Sequence, residues 1–123
     1  MLNEKKLKRW VEIKFTKFGV HCYPQAEYEE KLKDVSFLSS PHAHFFHFVV
    51  RISVSHNERE IEFIQLYKYC ESLYSQQVLQ ADNASCETLA QQLLEKLVEK
   101  YGDRQYKVSV YEDNINGAIV EYL

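Results

Sequence analysis

His42 and His44 stand two residues apart at the head of an aromatic run, and His21 lies upstream of them. On an extended chain, side chains at i and i+2 leave the same face, roughly 7 Å apart along the strand. Two imidazoles so placed can converge on one metal ion. A third ligand beside an open position would make a catalytic zinc centre rather than a closed structural one. His21 is the candidate third ligand, although an aspartate or glutamate can replace a histidine in such a set. His47 falls on the opposite face by parity and reads as a hydrogen-bonded sheet residue. His56 sits in a polar stretch and reads as a solvent-exposed turn residue.

Glu112 follows Val108 and Val110 at steps of two, at the end of an apolar strand face. A carboxylate there is solvated, paired with a base, or able to receive two N–H donors of a heterocycle as a bidentate pair. Cys70 and Cys86 fall in helical stretches and read as small buried hydrophobes. Cys22, next to His21, is the candidate nucleophile, although an extended backbone would turn it away from its neighbour. Three cysteines with no CxxC spacing exclude a disulfide framework and a zinc ribbon, and suit a reducing cytoplasm. No Ser-centred elbow, phosphate loop or dinucleotide fingerprint is present.

The elements that must position these residues follow from periodicity. Val11, Ile13 and Phe15 alternate with polar residues and predict a strand over about 9–18. Gly19 to Pro41 holds both prolines and reads as a long loop of the kind that is often functional. His44 to Ser55 is rich in aromatic and β-branched residues and predicts a second strand. A polar turn at 56–59 leads to a short returning strand at 60–63. Ile64 to about Gln77 turns helical. Ser85 is a plausible N-cap for the next helix, whose apolar stripe is Leu89, Ala90, Leu93, Leu94, Leu97 and Tyr101. Gly102 would stop it. Strands around Val108–Val110 and at 118–123 flank a turn at 114–117. The predicted order is strand, strand, helix, helix, strand, strand.

Composition sets the class. The chain has 123 residues, 46% hydrophobic and 27% charged, with only 3 Gly and 2 Pro. That describes one globular domain over 1–123 and excludes disorder or low complexity. A net charge of -3 argues against nucleic acid as partner. No apolar run reaches the roughly 20 residues of a membrane span, and the polar, basic start shows no secretion signal. Nine tyrosines exceed the needs of a core and suit a subunit contact or ring stacking.

In order and in local motifs, the chain resembles the 6-pyruvoyl-tetrahydropterin synthase and 6-carboxytetrahydropterin synthase family. Phe18-Gly19-Val20-His21 is similar to the segment carrying the family's first metal histidine. Pro41-His42-Ala43-His44-Phe45-Phe46 is similar to its His-Gly-His-Asn-Tyr, with alanine for glycine. Arg59-Glu60-Ile61-Glu62-Phe63 followed by Leu66 resembles Val-Asp-Phe-x-x-Leu. Ala84-Ser85-Cys86-Glu87-Thr88-Leu89-Ala90 resembles Pro-Thr-x-Glu-Asn-Leu-Ala. Val110-Tyr111-Glu112 with Gly117-Ala118 resembles the terminal strand pair. The resemblance covers about residues 10–122.

It implies an α+β tunnelling fold (T-fold), a ββααββ antiparallel sheet with two helices on one face, closed into a barrel by oligomerisation. It implies Zn²⁺ on His21, His42 and His44, and a pterin or purine-like ring held by Glu112. It also implies a homo-oligomer, trimer or hexamer, with sites at subunit boundaries. The chain departs from the family in two places. The synthases' catalytic cysteine, four residues before the His-x-His pair, is replaced by Leu38. Their Asp-His pair between the helices has no counterpart, since residues 71–83 contain no histidine. A synthase acting on a pterin of the dihydroneopterin-triphosphate kind would then move protons with Cys22, Glu62 or Ser39; the alternatives are a metal- and pterin- or purine-binding protein without synthase activity, and a structural oligomer whose histidines are only polar sheet residues.

Overall fold

The computed structural model describes residues 1–123. It is a mixed α+β structure built on one five-stranded sheet, with strands β1 Arg9–His21, β2 His42–Val54, β3 Leu79–Asp82, β4 Tyr106–Glu112 and β5 Asn116–Tyr122. The spatial order is β3-β1-β2-β4-β5. β1, β2, β4 and β5 pair antiparallel, whereas β3 runs parallel to β1. Two α-helices, α1 Phe63–Leu73 and α2 Cys86–Tyr101, complete the fold.

Both helices pack on one sheet face. Ile13 and Phe15 of β1 pair with Val50 and Phe48 of β2, and Val108 and Val110 of β4 pair with the same two residues. All six therefore point to one side and are buried there with Leu66 and Cys70 of α1 and Leu89, Ala90, Leu93, Leu94 and Leu97 of α2. Phe15 stacks on Phe48 with ring centroids 4.6 Å apart. Each fully buried side chain of this size stabilises the fold by about 1.5–3 kcal/mol before entropy is counted. The helix-free face is mixed: Glu12, Lys14, Thr16, His47, Arg51 and Lys107 share it with the exposed apolar side chains of Trp10, Phe18, Phe45 and Ile119.

Several expectations change. The order is ββαβαββ rather than ββααββ, and the sheet is not purely antiparallel, because β3 adds a parallel edge strand between the helices. Leu79-Gln80-Ala81-Asp82 alternates apolar with polar, but over four residues only and with no β-branched or aromatic side chain, too short a run to announce a strand. The returning strand at 60–63 is absent. Ser55 to Glu62 is an irregular turn, and Phe63 already begins α1, because the Glu62 carboxylate caps the helix by accepting the Ile64 and Gln65 amides at 2.8 and 3.0 Å. α1 also stops at Leu73, short of Gln77.

The stretch read as a loop is not all loop. β1 continues through His21, and 3₁₀ turns occupy Pro24–Glu27 and Glu30–Ser39. The caps of α2 are as expected: Ser85 Oγ accepts the Thr88 amide at 3.1 Å, and Gly102 closes the helix at φ 86. Close packing fixes Gly19. A Cβ there would lie 3.0 Å from the Leu79 carbonyl oxygen and 3.0 Å from the Phe46 ring, so a side chain would push β3 off β1.

Candidate metal centre

The pairing of β1 with β2 builds the centre. In that register His21 faces His42, and Gly19 faces His44. His21 therefore ends β1 directly beside the pair that opens β2, and the three imidazoles come from three positions on two adjoining strands. Their ring centroids are 4.6 Å (His21–His42), 5.5 Å (His21–His44) and 5.1 Å (His42–His44) apart. One ligand nitrogen from each lies within 4.8 Å of the other two. Nitrogens on a common tetrahedral zinc at about 2.0–2.1 Å stand about 3.3 Å apart, so small ring rotations bring all three to one ion. The Phe46 ring, 5.1 Å from His21 and 5.9 Å from His44, forms an apolar floor.

Each ring is held by its Nδ1. His21 Nδ1 donates to the Ala84 carbonyl at 2.8 Å, and His42 Nδ1 donates to the Ser40 carbonyl at 2.8 Å. A carbonyl only accepts, so Nδ1 carries the proton in both. His44 Nδ1 lies 2.7 Å from Asp113 Oδ2, and the other Asp113 oxygen accepts the Phe45 amide at 2.9 Å. These two bonds, His44 first, hold the Asp113 carboxyl below its ordinary range. With each Nδ1 so bonded, Nε2 is the nitrogen left to each ring for a metal. Outer partners of this kind set the tautomer and raise the basicity of metal-ligating histidines.

The donor set fits a metal by a further test. His21 is only 8% exposed, and its Nε2 is a buried nitrogen without a hydrogen-bond partner. A buried polar atom left unpaired costs about 1–3 kcal/mol, and a coordinated cation removes that cost. The cluster could therefore hold a metal ion; it does not by itself select the metal.

Glu112 joins the cluster. β4 pairs with β2 so that Glu112 faces Phe46, bringing its carboxylate beside His21 and His44. Oε1 lies 3.2 Å from His21 Nε2, and Oε2 lies 3.3 Å from His44 Nε2. The Cys86 thiol, at the start of α2, points to Oε1 at 3.8 Å. Burial, reinforced by Glu112, pushes that thiol up to about 12, so it stays protonated at neutral pH. Burial likewise raises Cys70 to about 12, and all three cysteines are free thiols.

An open cavity of about 550 Å³ adjoins the centre. His21, Cys22, Leu38, His42 and Glu112 line it, with Glu29, Lys31 and Glu87 adding charge. Three carboxylates against one lysine make it acidic. Cys22 shares this cavity with His21 rather than turning away, because β1 ends at His21; its Sγ points to Asn83 Oδ1 at 3.9 Å. One Glu29 oxygen, Oε2, is buried without a partner, while Tyr23 donates to Oε1 at 3.3 Å.

Other candidates stand apart. Glu62 caps α1 and lines a different cavity with Arg9 and Trp10. Those residues start β1, about 40 Å from its His21 end by strand rise, so Glu62 moves no proton at the histidines. His47 is on the opposite face, paired with Thr16 Oγ1 at 3.2 Å, and His56 is exposed in its turn. Leu38 lines the cavity and brings it a hydrocarbon side chain rather than a thiol. Asp113, and the Ser40 and Ala84 carbonyls, escaped the sequence reading. Only the turn chemistry beside Asp113, which sits at φ 53, hinted at the first, and carbonyl partners leave no trace in residue type.

No family model matches the chain, and no curated protein matches it. No helix is long and apolar enough to cross a membrane.

Proposed function

We propose that the chain is a zinc-dependent protein of the tunnelling-fold type, similar to the 6-pyruvoyl- and 6-carboxytetrahydropterin synthases, acting on a pterin of the dihydroneopterin-triphosphate kind. The observation that carries this reading is the convergence of the His21, His42 and His44 Nε2 lone pairs beside Glu112, at the wall of a cavity. Zinc bound there would act as a Lewis acid on the oxygens of a ligand side chain. The protein's own groups do the rest. Asp113, Ala84 and Ser40 fix the rings, Phe46 keeps water from beneath them, and Glu112 offers two oxygens to ring N–H donors. The acidic lining favours an N–H-rich heterocycle, so a triphosphate tail would point to solvent.

Cys22, which lines the same cavity, is the thiol that would move a proton where the synthases' cysteine position holds Leu38. That loss, and the absence of histidine from residues 71–83, favours a second reading: a protein that binds metal and a pterin or purine-like ring without turnover. A homo-oligomer, trimer or hexamer, is part of the same proposal. β5 ends the sheet with a seven-residue strand whose outer side has no partner, and such edges invite pairing.

Incubation of the purified protein with dihydroneopterin triphosphate separates the readings. Product formation, lost in Cys22→Ala, supports the synthase. Saturable binding without product supports the binder. Neither binding nor product overturns both. Sedimentation tests the assembly, where a stable monomer contradicts the barrel.

A further inference from the structure

Glu112 has no lysine or arginine partner. Its only charged-group contacts are the imidazoles of His21 and His44. Those contacts are not hydrogen bonds of neutral rings. His21 Nδ1 donates to the Ala84 carbonyl and His44 Nδ1 donates to Asp113, so in the neutral ring, the form that binds a metal, each Nε2 carries the lone pair. Two lone pairs therefore face two carboxylate oxygens at 3.2 and 3.3 Å. Acceptor against acceptor is repulsive, and the more so at His21, where water is excluded. A divalent cation between them turns the repulsion into coordination. The spacing also agrees: two ligand atoms at about 2.0–2.2 Å on one tetrahedral zinc are about 3.3 Å apart. The backbone supports this placement, since Glu112 faces Phe46, one step along the same face from His44.

We propose that the Glu112 carboxylate is the fourth ligand of the divalent ion held by His21, His42 and His44 whenever no substrate is bound. The inference rests on the metal-centre reading above and deepens it. The resting centre is closed by the protein itself, three neutral imidazoles and one carboxylate leaving a single positive charge. A ligand reaches the ion only by displacing Glu112, and the displaced carboxylate then lies at the cavity wall, free to accept the N–H donors of the incoming ring. Coordination and ring anchoring are alternate states of one side chain.

The test uses the full chain loaded with cobalt(II), whose visible spectrum reports coordination, and azide as a small competing ligand. With Glu112 bound, millimolar azide leaves the wild-type spectrum unchanged. Glu112→Gln, which keeps the shape and removes the charge, gives a spectrum that azide shifts, and its cobalt affinity falls at least about tenfold. One equivalent of cobalt in the wild type with a spectrum that azide shifts overturns the fourth-ligand proposal and leaves the metal centre standing. The wild-type measurement alone decides that point, whatever the variant's folding. Failure of the wild type to take up cobalt overturns the metal-centre reading, and this one with it.

Discussion

Asp113, the first residue after β4, reaches over to β2 to hold His44, accepting its Nδ1–H at 2.7 Å while its second oxygen accepts the Phe45 amide at 2.9 Å. One carboxylate thus fixes both the ring and the backbone of the strand that carries it. Asp113→Asn keeps the size but can present its amide N–H to His44, which favours the wrong tautomer. Zinc affinity is expected to fall about 10–100-fold, with the circular dichroism spectrum unchanged. Competition with a chromophoric chelator measures it; unaltered affinity would remove Asp113 from the centre.

Much of the centre was legible because strand parity is a strong constraint. His42 and His44 share a face, His47 takes the other, and Glu112 follows Val110 on the core side, as the alternation of types requires. The core stripe of α2 and its Ser85 and Gly102 caps were legible for the same reason: periodicity and end chemistry agree there. β3 was not, since its four residues owe their strand to the edge of β1 that Gly19 leaves accessible, a tertiary cause. The returning strand at 60–63 failed because Glu62 works as a cap. The chemistry of Asp113 and the two carbonyls depends on contacts between residues distant in sequence.

Glu60 at the opposite end of the sheet gives the fold a pH dependence. Its carboxylate accepts the Ser55 amide at 2.9 Å and the Ser55 hydroxyl at 2.5 Å, and pairs with Arg104. Those bonds, Ser55 foremost, lower its pKa from 4.5 to about 2. A depressed folded-state value means that the stabilisation is fully present above the unfolded value and is lost as pH falls from there through about 2. Urea titrations should show wild type more stable than Glu60→Gln at pH 6, with the gap closing on acidification through that window. A gap independent of pH would contradict the assignment.

Leu97 on α2 is fully buried in the same core as Tyr106, whose hydroxyl lies 3.4 Å from the Leu97 carbonyl and donates to the Gly102 carbonyl. Leu97→Ala leaves a cavity and should cost about 2–5 kcal/mol in urea unfolding. Because α2 begins at the metal-centre end and Leu97 lies three turns away, zinc stoichiometry in the folded variant should stay at the wild-type level. A loss below about 1 kcal/mol would mean that the helix does not pack as described.

Ser85 caps α2 and adjoins Ala84, whose carbonyl holds His21. Ser85→Ala should cost about 1 kcal/mol of stability and weaken zinc binding modestly by loosening that carbonyl. Thermal unfolding with and without zinc separates the two effects. Equal stability loss in both conditions would show that the cap does not influence the centre.

The central claim is that His21, His42 and His44 hold one divalent ion. Elemental analysis of the purified wild-type chain beside His42→Ala and His44→Ala tests it most directly. One equivalent of zinc per chain, falling to near zero in both variants while each remains folded, is the predicted result. Zinc-free wild-type protein that stays metal-free after dialysis against zinc, or variants that retain a full equivalent, would contradict it.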